Sequence, residues 1–279
     1  MNCRDEISLT PPVSEPAERF AGDKYITPAL PISGAKKLLT WNAPHFYYQF
    51  SKVVRHGARM ATNNEYNRQN WFDLSCDVIK FIENNGGIID VAGMNNFQQI
   101  DGPVLFVANH MSILETIVIP SLVLKYKELC ITMKKQLFDV PVFGTLLTGF
   151  RTIAVSRENP IDDYKTIIRD GGKAIDQGYS TLLFPQTTRT TKFAPEEFNS
   201  VGTKLAKRVK IPIIPIALKT DFWGNGRFLK DIGPIDRKKR IYFRFGEPIT
   251  VSGNGKAENQ QIIDFIQGHL NEWQKDEAK

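Results

Sequence analysis

Cysteine is scarce: Cys3, Cys76 and Cys130 are the only three in 279 residues. They are odd in number, far apart and outside any metal-type spacing. A disulfide framework and a cysteine-rich zinc site are therefore excluded, and the sparseness fits a reducing cytoplasm. There is no His-Glu-x-x-His, so no metal and no other cofactor is expected. The Gly-x-Ser-x-Gly elbow, the Walker A loop and the Gly-x-Gly-x-x-Gly turn are also missing, which sets aside elbow-type hydrolases and nucleotide enzymes. No apolar run approaches the roughly 18 residues that a spanning helix needs. Near the start, Arg4, Asp5 and Glu6 lead into prolines where a signal peptide would carry an apolar segment. The expected place is the cytoplasm, soluble or peripheral to the inner face of the membrane.

What remains is an ordinary globular balance, 42% hydrophobic and 24% charged, with a net charge of +6. Such an excess suits anionic partners: phospholipid headgroups, acyl-carrier phosphates or nucleic acid. The chain has no aromatic-basic motif and no finger spacing, so nucleic acid is not expected among its partners.

Residues 1–40 are rich in proline and poor in periodicity and read as an irregular arm. Residues 41–86 read as a helical segment. In it Phe46, Tyr47, Phe50, Val53 and Val54 recur as one helical face, with Lys52, Arg55 and Arg59 around them, and a second helix over Trp71–Ile82 closes at Gly86-Gly87. This aromatic and cationic stretch suits either an interfacial helix on an anionic membrane surface or a stripe packed on the domain. Residues 87–279 alternate short apolar runs with helical segments. Strands are expected at Ile88–Val91, Val104–Ala108, Leu129–Met133, Thr152–Val155, Ser180–Phe184, Ile213–Leu218 and Ile241–Phe245. Helices are expected at Ser112–Tyr126, Pro141–Thr148, Ile161–Gln177, Pro195–Lys207 and Glu258–Lys275. The fold class is α/β: a mixed, mostly parallel sheet flanked by helices and preceded by an N-terminal helical segment.

Four segments carry the chemistry. The strand Val104–Ala108 ends in a turn with Asn109 and His110, where open α/β sheets bind their ligands. Glu115 can fold back on the imidazole, fixing its tautomer and leaving Nε2 as a general base. Ser112 to Glu115 also matches a capping box, in which Glu115 accepts from the Ser112 backbone instead. A second strand delivers Arg157 just past its end, and a third leads through Phe184-Pro185 to a polar turn ending in Arg189. Guanidinium groups suit the bidentate capture of phosphate oxygens. The fourth segment, Ile211–Ile216, holds two prolines and is better suited to an edge or a wall than to a central strand.

That order resembles the four blocks of the glycerolipid acyltransferase family, which includes the 1-acylglycerol-3-phosphate acyltransferases, over about residues 88–218. The family's Asn-His, four residues, Asp is matched by Asn109, His110 and Glu115. Its Phe-Pro-Glu-Gly-Thr-Arg is matched by Phe184, Pro185, Gln186, Thr187, Thr188 and Arg189. Glu for Asp adds a methylene, Gln186 replaces a carboxylate by an amide, and Thr187 stands where the family has glycine. The resemblance implies that His110 and Glu115 are catalytic, and that Asn109, Arg157, Gln186, Thr187, Thr188 and Arg189 bind substrate. It implies acyl transfer from acyl-CoA or acyl-carrier protein to the hydroxyl of a lysophospholipid, by default 1-acylglycerol-3-phosphate. The competing readings are another lysolipid acceptor, or a catalytically weak lipid-binding relative, which the altered Glu115, Gln186 and Thr187 favour.

Overall fold

The computed structural model describes residues 20–28, 43–186, 188–227 and 231–277. Its strands are β1 (Lys24–Ile26), β2 (Ile89–Ala92), β3 (Leu105–Ala108), β4 (Glu128–Lys134), β5 (Thr152–Val155), β6 (Tyr179–Leu183), β7 (Ile213–Lys219) and β8 (Ile241–Phe245). They form one sheet in the order β1-β2-β8-β7-β3-β6-β4-β5. The neighbours β7, β3, β6, β4 and β5 all pair in parallel. β8 runs antiparallel to β7 and parallel to β2, and β1 is antiparallel to β2. The α/β class is thus as expected, a mixed and mostly parallel sheet.

Helices α1 (Ala43–Thr62), α2 (Arg68–Asn84), α3 (Asn95–Gln98), α4 (Leu114–Val123), α5 (Phe143–Leu147), α6 (Pro160–Asp176), α7 (Val201–Val209) and α8 (Lys256–Glu277) cover the sheet. Because both faces are covered, β3 and, up to its last residue Lys219, β7 read as apolar runs rather than alternating ones, and every residue of each is buried. The seven strands expected from residue 88 onward appear within a residue at each end. Within the arm expected to be irregular, Lys24–Ile26 instead forms an edge strand, held by Tyr25 and Thr27 hydroxyls that both donate to Glu83.

The double-proline segment departs from expectation, because β7 is central, between β8 and β3. The physical reason lies in the register. Ile216 pairs with Phe245, the last residue of β8, and pairing with that side resumes only at the Ile213–Ile249 bridge. Pro215 falls in the gap, where its carbonyl accepts from Gly246 N–H at 2.8 Å and its missing N–H breaks no ladder. Gly246 is needed there, since a Cβ would lie 2.7 Å from the Pro215 ring. The expected helix Pro195–Lys207 is also divided, into a 3₁₀ turn at Pro195–Glu197 and then α7. Asn199 makes the break: its amide donates to the Pro185 carbonyl and its Oδ1 accepts from Val201 N–H at 3.0 Å.

The α1 stripe packs on the domain. Phe46 is fully buried against Phe81 and Trp223, with ring centroids 4.5 and 4.9 Å away, and Phe50 meets Trp223 at 4.9 Å. Phe46, Trp71 and Phe72 belong to the same core as the sheet. Burying a phenylalanine side chain of this kind is worth about 1.5–3 kcal/mol, so its aromatics bind α1 to α2 and to the turn after β7. Tyr48 and Lys52, on the other side of the helix, stay exposed.

Candidate active site

Parallel strands place their carboxyl ends on one edge of the sheet, and the turns after β3, β5, β6 and β7 meet there. After β3, the His110 Nδ1 lies 2.8 Å from Glu115 Oε1, the carboxylate being wholly buried and the imidazole 14% exposed. Glu115 also accepts from the backbone N–H groups of Met111 at 2.6 Å and Ser112 at 2.9 Å, and from the Thr220 hydroxyl at 2.6 Å. The two sequence alternatives are therefore both realised: one carboxylate closes the turn before α4 and holds the histidine ring. The extra methylene of glutamate, relative to aspartate, lets the same group reach both.

Surrounded by donors alone, Glu115 is ionised. Burial favours its protonation, but the bonds from His110, Thr220 and Ser112 outweigh it and hold the carboxyl below the usual range. The carboxylate then takes the Nδ1–H of His110 and leaves Nε2, on the far side of the ring, with a free lone pair. Burial pushes the imidazole below its ordinary value, Glu115 partly restores it, and the positive charges of Arg189 and Arg157 lower it again. At neutral pH the ring is a neutral base.

The backbone around the ring is locked from both sides. His110 N–H donates to Gln186 Oε1 at 2.7 Å, its carbonyl accepts from Thr190 N–H at 3.0 Å, and the ring stacks on Phe184 at 4.3 Å. An amide oxygen serves this single N–H as a carboxylate would, which is why Gln186 is tolerated. Asn109 does not line the cleft. Its Nδ2 donates to Leu218 carbonyl at 2.8 Å and its Oδ1 accepts from Leu218 N–H at 2.9 Å, so it extends the β3–β7 pairing by one side chain. Its implied role in substrate binding becomes one of positioning, because both ends of its amide are occupied.

Arg157 follows β5 with a positive φ of 62°, a conformation few non-glycine residues adopt. Asp163, in the first turn of α6, holds it there by accepting from Ser156 N–H at 2.8 Å and Arg157 N–H at 2.7 Å. α6 starts at this point because Asn159 caps it and Pro160 opens it. The Arg157 guanidinium donates to the Gln186 carbonyl at 2.8 Å, and Arg189 pairs with Asp231 at 2.5 Å. His110, Arg157, Thr188 and Arg189 line one cleft of about 420 Å³. Thr187 lies outside the described residues. Ile113, Val140, Phe143 and Asp231 continue that wall into an apolar groove of about 460 Å³ that also holds Tyr47, Phe50 and Val142.

The sequence pointed to the Ser112 backbone as a partner of Glu115 but not to the Ser112 and Thr220 hydroxyls, nor to Phe184 as the platform under the ring. Ser112 Oγ lies 3.0 Å from both Glu115 Oε2 and Thr220 Oγ1. The available signal was the position of Thr220 just past the end of a parallel strand.

Residues 88–219 match the protein family described as Acyltransferase, in line with the resemblance to the glycerolipid acyltransferases. Among its relatives, 1-acyl-sn-glycerol-3-phosphate acyltransferase of Pseudomonas aeruginosa is 27% identical over 168 residues, 60% of this chain and 63% of that one. The chloroplastic 1-acyl-sn-glycerol-3-phosphate acyltransferase BAT2 of Brassica napus is 26% identical over 140 residues, covering 50% of this chain and 38% of the relative. The matches thus span less than two thirds of these relatives' own length. The crystal structure of the 1-acyl-sn-glycerophosphate (LPA) acyltransferase PlsC from Thermotoga maritima has the same fold. Its TM-score is 0.64 at 15% identity, over 86% of this chain and 98% of that chain.

Proposed function

We propose that this chain transfers a fatty acyl group from an acyl thioester, on coenzyme A or acyl-carrier protein, to the hydroxyl of a lysophospholipid, by default 1-acylglycerol-3-phosphate. The observation that carries the reading is the His110–Glu115 pair opening on a cleft that two guanidinium groups also line. Among the described residues no serine lines the cleft, so the substrate supplies the hydroxyl. Nε2 of His110 takes its proton as the oxygen attacks the thioester carbonyl. The C–S bond then breaks, and the imidazolium, stabilised by Glu115, returns the proton to the leaving thiolate.

Arg157 and Arg189 are the groups for the acceptor phosphate, and their charge has a second effect. Both oppose protonation of His110. A bound phosphate cancels that opposition, so the base strengthens when the acceptor arrives. This coupling favours proton transfer only in the complex that can use it.

Access to lipid is supported by the groove beside the cleft. Val140, Val142 and Ile232 line it with 44%, 45% and 55% exposure, and Arg55 stands among them. We infer that this rim meets an anionic membrane surface, with apolar side chains entering and the cation facing headgroups. No helix among the described residues is long and apolar enough to cross a membrane.

The test is an acyl-transfer assay with radiolabelled acyl-CoA and lysophosphatidate. His110→Ala should lose about 10²–10⁴-fold in kcat at unchanged melting temperature, the usual worth of a general base. Full activity of that variant would overturn the reading, and so would an inactive wild-type protein.

A further inference from the structure

We propose that the end of β4, the turn after it and the pocket behind them, which Arg157 and Lys204 line, receive the carrier arm of the acyl donor, an amide-bearing chain ending in phosphate, with Gln136, Thr132 and Lys204 as its contacts. The proposal rests on the acyl-transfer reading and adds the side from which the thioester enters.

Two polar atoms in the cleft wall are buried and have no partner: Thr132 Oγ1 and Gln136 Oε1. Thr132 is only 6% exposed. The amide orientation of Gln136 is set by its Nε2, which donates to the Ser156 carbonyl at 3.3 Å and to Glu158 Oε1 at 3.0 Å. The oxygen is the atom left over. Buried polar atoms are nearly always paired, so an unpaired couple in a substrate cleft marks where a ligand bonds.

The chemistry of these two atoms selects the ligand. An amide oxygen only accepts, so Gln136 requires an N–H or O–H from its partner. The acceptor's hydroxyl is the donor to His110 in the proposed reaction, its ionised phosphate oxygens only accept, and an acyl tail does neither. The pantetheine arm of an acyl thioester carries amide N–H and C=O groups in alternation. It can donate to Gln136 and accept from the Thr132 hydroxyl.

Position points the same way. Thr132, Arg157 and Phe184 line both the catalytic cleft and a second pocket of about 280 Å³. That pocket is framed by Arg157, Lys204 and the start of α7, whose first N–H, that of Val201, is taken by Asn199 Oδ1. Asp163, the one acid in its lining, is engaged by Ser156 and Arg157 backbone N–H groups. Lys204 lies over the Tyr164 ring at 5.1 Å, with its ammonium in reach of an anion entering from solvent. The site therefore carries cationic side chains at this end and is apolar at the other, where the groove takes lipid chains. A donor lying across it puts its thioester between the two, beside His110.

The experiment measures steady-state kinetics of Thr132→Val and Lys204→Glu with oleoyl-CoA and 1-oleoyl lysophosphatidate, together with calorimetric titration of free CoA into His110→Ala. Each variant should raise the KM for oleoyl-CoA about 3- to 10-fold, the usual loss for one polar contact, with the KM for lysophosphatidate unchanged. CoA should bind His110→Ala and bind more weakly once Lys204→Glu is added. The same rise is expected with oleoyl-acyl-carrier protein, which presents the same arm. Lys204 is on an exposed helix face, so its variant carries the test if Thr132→Val does not fold. An unchanged donor KM in both variants would mean that water satisfies the buried atoms, and a rise in acceptor KM instead would assign the pocket to the headgroup. Either result overturns the proposal. If His110→Ala is inactive while both variants are neutral toward the donor, only this proposal fails; if His110→Ala stays active, the acyl-transfer reading fails first.

Discussion

Replacing Glu115 by glutamine tests the core of the chemistry, because it removes a charge while keeping the size. Every partner of the carboxylate is a donor: the His110 ring, two backbone N–H groups and the hydroxyls of Ser112 and Thr220. An amide puts one NH₂ among them. It is best placed on the hydroxyl side, where Thr220 can rotate and accept, so the amide oxygen stays on Nδ1–H. Geometry is retained and the stabilisation of the imidazolium is lost. A hydrogen bond to a charged group is worth about 1.5–3 kcal/mol, against about 0.5–1.5 for a neutral one. The difference of roughly 1–2 kcal/mol, at about 1.4 kcal/mol per tenfold, corresponds to a fall of about 5- to 30-fold in kcat.

The pH profile gives a second, independent readout. With His110 as the proposed base, which acts when neutral, activity should rise with pH through its pKa, which burial holds below the ordinary value. Without the Glu115 charge the ring is still harder to protonate, so the acidic limb must move to lower pH as the plateau falls. The assay is thiol release from acyl-CoA at saturating acceptor, from pH 5 upward, beside a thermal melt at each pH. An acidic limb that moves to higher pH, or an unchanged plateau, would refute the pairing of the two groups. Stability should respond in parallel. The folded pKa of Glu115 lies below its unfolded value, so its contribution is present above about pH 4.5 and is lost as pH falls through the folded pKa. Glu115→Gln should lack that component of acid destabilisation.

Arg157→Lys and Arg189→Lys should each raise the KM for lysophosphatidate by about tenfold, because the planar two-pronged contact with phosphate is lost while the charge remains; an unchanged value in both would remove the clamp. Val142→Asp, at an exposed rim position, should reduce pelleting with anionic vesicles while leaving thiol release from a water-soluble short-chain substrate pair intact. Equal pelleting of both proteins would place the membrane contact elsewhere.

The local features of this protein were legible in the chain. The strand Val104–Ala108 is a run of apolar residues closed by polar ones, and any such run between covering helices becomes a buried strand. Asn109 and His110 follow it directly, so their place at a strand's carboxyl end required no knowledge of the rest. Four residues separate His110 from Glu115, which allowed either a ring contact or a cap. The choice between these proved unnecessary, since one carboxylate has two oxygens and room for both.

What depends on strand order was not legible. Leu218 meets the Asn109 amide, and Thr220 meets Glu115, only because β7 lies beside β3. That placement ran against the plain reading of two prolines, and it holds because β8 ends just where Pro215 lacks its donor. Likewise, Arg157 and Arg189 reach one cleft because β3, β6, β4 and β5 run the same way and deliver their ends to one edge. Periodicity and turn chemistry are set by near neighbours in the chain, and so the sequence alone determined the elements and their chemical endings. Which endings face one another is set by the packing of the whole sheet, and the tertiary structure alone decided it.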